Sequence, residues 1–220
     1  MARISYPTMG VGTVTPSIIR AISIVGVKDA PFSADAIYEI EDLMPAGKSI
    51  HEVVRGKTFR DSQGRVRWDF EFVRNGQILR NAMVDDAVEA RVIEVDENAR
   101  VACVWHYWRA PDTQPAPTFP VYGNDSEEEL GTKQMEGFTA IGTRQTRRFP
   151  AGARGYAQPW ARITEFWFSP DLKMTFVIKE ESPMAKYVGK LVNPHAVEPD
   201  PSLFRLPADY RVIDDRQQNK

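Results

Sequence analysis

Three histidines, one cysteine and a dense population of carboxylates are the groups in this 220-residue chain that can do chemistry. His51, His106 and His195 lie far apart, and none has a Glu or His at metal-ligand spacing. A lone strand histidine of this kind reads as a surface or hydrogen-bonded structural residue. His106 sits in "VWHYW", within the most apolar run of the chain, yet no nucleophile accompanies it there. A hydrolase would need a polar cluster gathered around it. Cys103, in the same run, reads as a small buried hydrophobe, and a single cysteine makes neither an internal disulfide nor a multi-cysteine metal site. There is no G-x-S-x-G elbow, phosphate-cradling loop or dinucleotide fingerprint, and "GVGTV" at 10–14 is too short to serve as one. Asp and Glu alternate with Lys and Arg, as on a solvated sheet face. These residues predict no catalytic group, no metal and no cofactor, hence a non-enzyme.

Binding chemistry has better candidates. In "GTRQTRRFPAGARGY" (142–156), Arg144, Arg147, Arg148 and Arg154 fall on one strand and the loop after it. They suit either an anionic headgroup or acidic partner, or a solvated hairpin tip whose stems cover aromatic neighbours. A net charge of −2 argues against nucleic acid as the partner. No apolar run approaches the roughly 20 residues that span a bilayer, so no transmembrane segment is expected. The nearest thing to an export signal, Ser17 to Val27, is interrupted by Arg20 and lacks a basic cluster before it. The chain therefore reads as cytosolic or as a mature form whose signal was removed.

The elements that must position these groups are strands. Residues 1–30 form an irregular N-terminal segment, in which Thr15-Pro16 suits the cap of a short helix at 15–22, while Ile22, Ile24 and Val25 read equally well as extended. From Pro31, alternating runs end in turn residues every 8–12 positions or so, the pattern of an all-β domain. Strands are expected at about 33–43, 49–60, 65–73, 77–83, 89–96, 101–108, 132–135, 138–148, 160–168, 172–181 and 186–193. Tight turns between them ("PAGK", "DSQG", "RNGQ", "SPDL") make consecutive strands antiparallel neighbours. "RAPDTQPAPTFPVYGNDSEEEL", 109–130, holds four prolines and an acidic run. It is expected to be a long loop, either a disordered surface segment or a docking loop. The expected organisation is a single β domain over 31–214 and a tail at 215–220.

Aromatic alternation is the strongest signal. Trp68, Phe70 and Phe72 share one face of their strand, and Met174, Phe176 and Ile178 share one face of theirs. Such faces close an ordinary core, or they line the concave side of a curled sheet around an apolar ligand. Periodicity does not separate the two.

Several blocks carry a resemblance. "PFSADAIYEIEDLMPAGKSIHEVVRGKTFRDSQGRVRWDFEF", "LGTKQMEGFTAIGTRQTRRFPAGARG", "TEFWFSPDL" and "EPDPSLFRLPADYRVID" resemble an exported acidobacterial family of unknown function, across about 31–214. That family is in turn distantly similar to the lipoprotein-carrier superfamily typified by LolA and LolB. The resemblance implies a mainly β fold with little helix, a curved antiparallel sheet forming an incomplete barrel around an apolar cavity. It implies a periplasmic or extracellular, bacterial envelope location. In the closing block, Leu203 and Phe204 are expected to plug one end of the sheet. The function implied is non-enzymatic binding of an acyl chain or lipid on the concave face. Trp68, Phe70, Phe72, Met174, Phe176 and Ile178 would form the wall, and the four arginines would hold a headgroup. The alternative is a protein-interaction or assembly module with a filled core, docking an envelope partner through the 109–130 loop or an edge strand.

Overall fold

A computed structural model describes residues 26–43, 48–107 and 125–217. The candidate helix at 15–22 and the stretch 108–124 lie outside the described residues. Twelve strands make one sheet: β1 (Phe32–Leu43), β2 (Ser49–Arg60), β3 (Val66–Arg74), β4 (Gln77–Asp86), β5 (Arg91–Asp96), β6 (Val101–His106), β7 (Ser126–Met135), β8 (Phe138–Phe149), β9 (Trp160–Ser169), β10 (Met174–Glu181), β11 (Ala185–His195) and β12 (Arg211–Asp214). The spatial order β12-β6-β5-β4-β3-β2-β1-β11-β10-β9-β8-β7 is two meanders joined where β1 pairs with β11. The sheet is open, and no described helix is long and apolar enough to cross a membrane.

Two strands depart from the sequence expectation. β7 begins at Ser126 rather than 132, so the acidic end of the expected 109–130 loop is strand. Glu127, Glu128 and Glu129 read as loop because charge is rare in a sheet interior. At an edge the same charges guard unpaired backbone against other chains. β12 is absent from the expected strands. It lies parallel to β6, with Arg211 opposite Val101 and Ile213 opposite Cys103, so the expected wholly antiparallel meander is corrected on this pair. The long path from β11 to β12 supplies the crossover that a parallel pair needs.

That path explains the sequence blocks. The C-terminal segment crosses the outer face of β3–β6, where Phe204 is buried with Ala82, Val84, Ile93, Val95 and Ala102. Leu203 and Phe204 therefore cover a face rather than plug an end. The segment is fastened to the turn between β2 and β3. Asp61 closes this turn, accepting from the backbone N–H of Arg65 at 2.8 Å and from its Nε at 2.6 Å. Gly64 there adopts φ +84°, a left-handed conformation that favours glycine. Ser62 donates to Glu198 from both its backbone N–H and its hydroxyl, each at 3.2 Å. Arg65 lies 5.0 Å from the Phe204 ring centre, and Arg67 donates to the Leu203 carbonyl at 2.8 Å. The "FRDSQGR" and "DPSLF" blocks are thus two halves of one buckle.

The end of the segment is clamped by His106. Its backbone N–H donates to Asp215 Oδ2 at 3.1 Å, and its Nδ1 lies 2.7 Å from Asp215 Oδ1. Burial alone would raise the Asp215 carboxyl. Hydrogen bonds from His106, its charge and the N–H of Arg216 outweigh burial and hold the carboxyl below its ordinary value. A carboxylate lowered in this way stabilises the fold above the ordinary carboxylate range, and the contribution is lost as pH falls through the lowered value. Protection of the 211–216 amides, relative to the intrinsic exchange rate at each pH, should therefore be high at neutral pH and fall as the pH drops below the ordinary Asp value of about 4. Asp215→Asn should make it low at both. Equal protection of the variant and the parent at neutral pH would remove the clamp.

Candidate ligand-binding face

The face opposite the C-terminal segment is the inward one. On β1 it carries Phe32, Ala34, Ala36, Tyr38 and Ile40, all buried, in strict alternation with half-buried neighbours. Pairing carries the same face across to Val54, Thr58 and Arg60 on β2, then to Val66, Trp68 and Phe70 on β3, then to Met83 on β4. In the other direction it continues through Tyr187 and Leu191 on β11 to Met174, Phe176 and Ile178 on β10.

Arg60 shows that the sheet curls toward this face. It is fully buried, its Nε donates to the Ala30 carbonyl at 2.7 Å, and its guanidinium reaches the carbonyls of Leu172 (2.5 Å) and Lys173 (3.2 Å). Those carbonyls lie in the turn before β10, and β10 is three strands from β2. On a flat sheet three steps cover about 14 Å, more than an arginine side chain spans. The bonds form because the two halves fold toward each other, with Arg60 pinning them at the end where Phe32 packs beneath the guanidinium, 4.8 Å from its ring centre. Burial draws the guanidinium down to about 10, which leaves it charged at neutral pH. Nothing in the alternation marks Arg60, because a charged residue at an inward position breaks the pattern. The only signal is its place in the "FRDSQGR" block.

All six candidate wall residues meet on this face or against it. Trp68, Phe72, Met174, Phe176 and Ile178 are 1% to 5% exposed members of one cluster, and Phe70 is half-buried against that cluster. Phe138 on β8 joins from the far side, its ring 6.0 Å from that of Phe176. The indole Nε1 of Trp68 is enclosed and finds no hydrogen-bond partner among the described residues. Its cross-strand neighbour Thr58 donates instead to the Arg67 carbonyl at 3.3 Å.

The four arginines do not form one patch. Arg144 lies between Glu165 (2.6 Å) and Glu128 (2.9 Å), its cross-strand neighbours on β9 and β7. Arg147 and Arg154 are brought together on Phe149, 5.1 and 5.9 Å from its ring centre, and that ring stacks on Trp160 at 3.9 Å. Arg148 is exposed, and its backbone N–H is held by Asp125. Alternation puts Arg147 on the face opposite Arg144 and Arg148.

Two other places gather groups capable of chemistry. Nδ1 of His106 and carboxylate oxygens of Asp214 and Asp215 lie within 4.8 Å of one another, as a cation site would require. Asp215 gives both its oxygens to His106, which accounts for the cluster as the clamp on β12. An open groove of about 350 Å³ on β2–β4 is lined by Arg55, Lys57 and Arg80 against Asp69, Glu71 and Glu97, a balance of charge that selects neither anion nor cation. Cys103 is buried, and burial and then the nearby Glu94 push its thiol up, away from the reactive thiolate.

The β2–β3 seam is short. Only six residue pairs join the two strands, from Arg60–Val66 to Arg55–Glu71, whereas twelve join β1 and β2. Beyond Glu71 the β1–β2 and β3–β4 hairpins run on without pairing to each other.

No family model matches the chain, and no curated protein matches it. Among solved structures it is similar to an uncharacterized conserved protein from Thermus thermophilus, at 13% identity over 90% of this chain and 96% of that one, with a TM-score of 0.46. It is also similar to LprF from Mycobacterium bovis (9% identity, 85% and 98% covered, TM-score 0.35). A LolA superfamily protein from Nitrosomonas europaea matches at 8% identity, with 86% and 96% covered and a TM-score of 0.26. Likenesses this distant do not assign a function.

Proposed function

We propose that this protein is a non-enzymatic component of the bacterial envelope, periplasmic or extracellular, that binds an apolar or amphiphilic ligand on the inward face of its curled sheet. An acyl chain or lipid is the fitting ligand. The observation that carries the reading is the run of apolar side chains from Met83 on β4 round to Phe138 on β8, on one face of a sheet that stays open. The lining residues are buried against one another, so uptake requires the sheet to part. Two seams on this face are short, β10–β11 with five residue pairs and β2–β3 with six, and the parting is assigned to one of these, while Arg60 fastens β2 to the turn before β10. Binding draws on apolar area removed from water, about 25 cal/mol per Å², less the cost of ordering the ligand.

The rival reading is docking through the 109–130 loop or an edge strand, and its edge-strand form meets charge at β7, whose exposed Glu127, Glu128, Glu129 and Lys133 oppose strand addition. The test is native mass spectrometry of protein purified from a bacterial envelope fraction, followed by titration of the delipidated protein with fatty acid and phospholipid. A co-purifying amphiphile is expected, and Phe70→Glu should abolish uptake. Phe70 is half-buried, so this variant should stay folded, with circular dichroism as the check. A clean apo mass with no uptake of either added lipid would end the reading.

A further inference from the structure

Trp68 stands at the middle of the proposed ligand face, on β3 between Val66 and Phe70, and opposite Thr58 and Met83. Its side chain is 4% exposed, and its indole N–H is sealed from solvent without an acceptor among the described residues. Buried donors in native proteins are almost always paired, so an orphan calls for a missing partner. The Thr58 hydroxyl opposite it donates to the Arg67 carbonyl, and although its oxygen can also accept, it does not bond the indole. Indole nitrogen can only donate, so the group that completes this site is an acceptor. Apolar Val66, Phe70 and Met83 surround the position, which suits an uncharged oxygen on a hydrocarbon chain. One step along the same face, Phe70 is only half-buried, so the lining is accessible beside the indole.

We propose that Trp68 Nε1 is the polar anchor of the ligand face, donating to the carbonyl oxygen of an acyl ester or acid whose chain packs among the aromatic residues. This inference rests on the reading of the inward face as an apolar-ligand site and narrows it to acyl compounds. Hydrocarbon alone would fill the same space and leave the donor orphaned.

Methyl laurate and the alkane of matching length, titrated into delipidated full-length protein, separate the two. The indole N–H resonance of Trp68, assigned by its disappearance in Trp68→Phe, should move downfield with the ester and not with the alkane. The ester should bind about tenfold tighter, the size of one net hydrogen bond. Trp68→Phe should erase that preference, bringing the ester and alkane affinities together. Equal affinities with an unmoved resonance would overturn the anchor and leave apolar binding standing. A resonance already downfield without ligand, and unchanged by ester, would assign the donor to a bound water and overturn it too. Failure of both compounds to bind would remove the ligand face itself. Where Trp68→Phe folds poorly, the resonance is assigned in the parent protein from its through-space contacts with Thr58 and Met83, so the test still holds.

Discussion

Arg60→Leu should cost about 4 kcal/mol or more of unfolding free energy, close to the whole stability of a marginal domain. The arginine makes three hydrogen bonds from a charged donor to the carbonyls of Ala30, Leu172 and Lys173, each worth about 1.5–3 kcal/mol though not additive. Leucine keeps the first carbons of the stem and removes every donor, along with the cation over the Phe32 ring. The loss is therefore polar: buried carbonyls that met a guanidinium are left facing hydrocarbon. Arg60→Lys should fall between the two, because it keeps the charge but cannot reach three carbonyls from one planar head. Urea denaturation followed by tryptophan fluorescence measures both. A loss below about 1 kcal/mol for Arg60→Leu would mean that the carbonyls are resolvated by water, so that this end of the trough stands open rather than pinned.

Much of this fold was legible because its strands follow a period of two. Phe32 to Ile40 alternate without a break, Trp68 shares a face with Phe70 and Phe72, and Asn75-Gly76 and Glu136-Gly137 mark hairpins where positive φ is needed. The six wall residues could be placed on common faces for the same reason. Curvature was not legible, since alternation tells which side chains share a face and not which way that face bends. The evidence for the bend is Arg60, a charged residue at an inward position, which sequence reasoning passes over. Likewise the acidic start of β7 imitates a loop, and β12 has too few residues to carry a pattern. The joining of Ser62 to Glu198, 136 residues apart, is a contact between two sequence blocks that each looked like an isolated motif. The orphan indole N–H of Trp68 belongs to the same class. Sequence places the ring, and only packing reveals that its donor has no acceptor.

Gly56→Ala should be the most damaging single-methyl addition in the sheet, lowering the melting temperature by about 10 °C. Gly56 faces Phe70 across the β2–β3 seam, and a Cβ there would lie 1.8 Å from the Asp69 carbonyl oxygen and 3.0 Å from its carbon. Both are backbone atoms, so no rotamer change relieves the clash and the strands must separate. Overpacking of this severity costs about 3 kcal/mol, which in a domain of this size is about 10 °C. Gly76→Ala is the matched control. Gly76 sits at φ +75° with nothing within 4 Å of an added Cβ, so it should show only the conformational cost of about 1 kcal/mol. Equal losses for the two variants would mean that β2 and β3 shift apart freely and that the close approach at Gly56 holds nothing. The position also bears on uptake. Gly56 is the second pair from the point where β2–β3 pairing ends, so separating the strands there lengthens the unpaired stretch. If the halves part at this seam, the folded fraction of Gly56→Ala should take up fatty acid faster than the parent, and Gly76→Ala should not. Slower or unchanged uptake in Gly56→Ala would move the point of entry away from β2–β3, to the β10–β11 seam or to one of the open edges at β7 or β12.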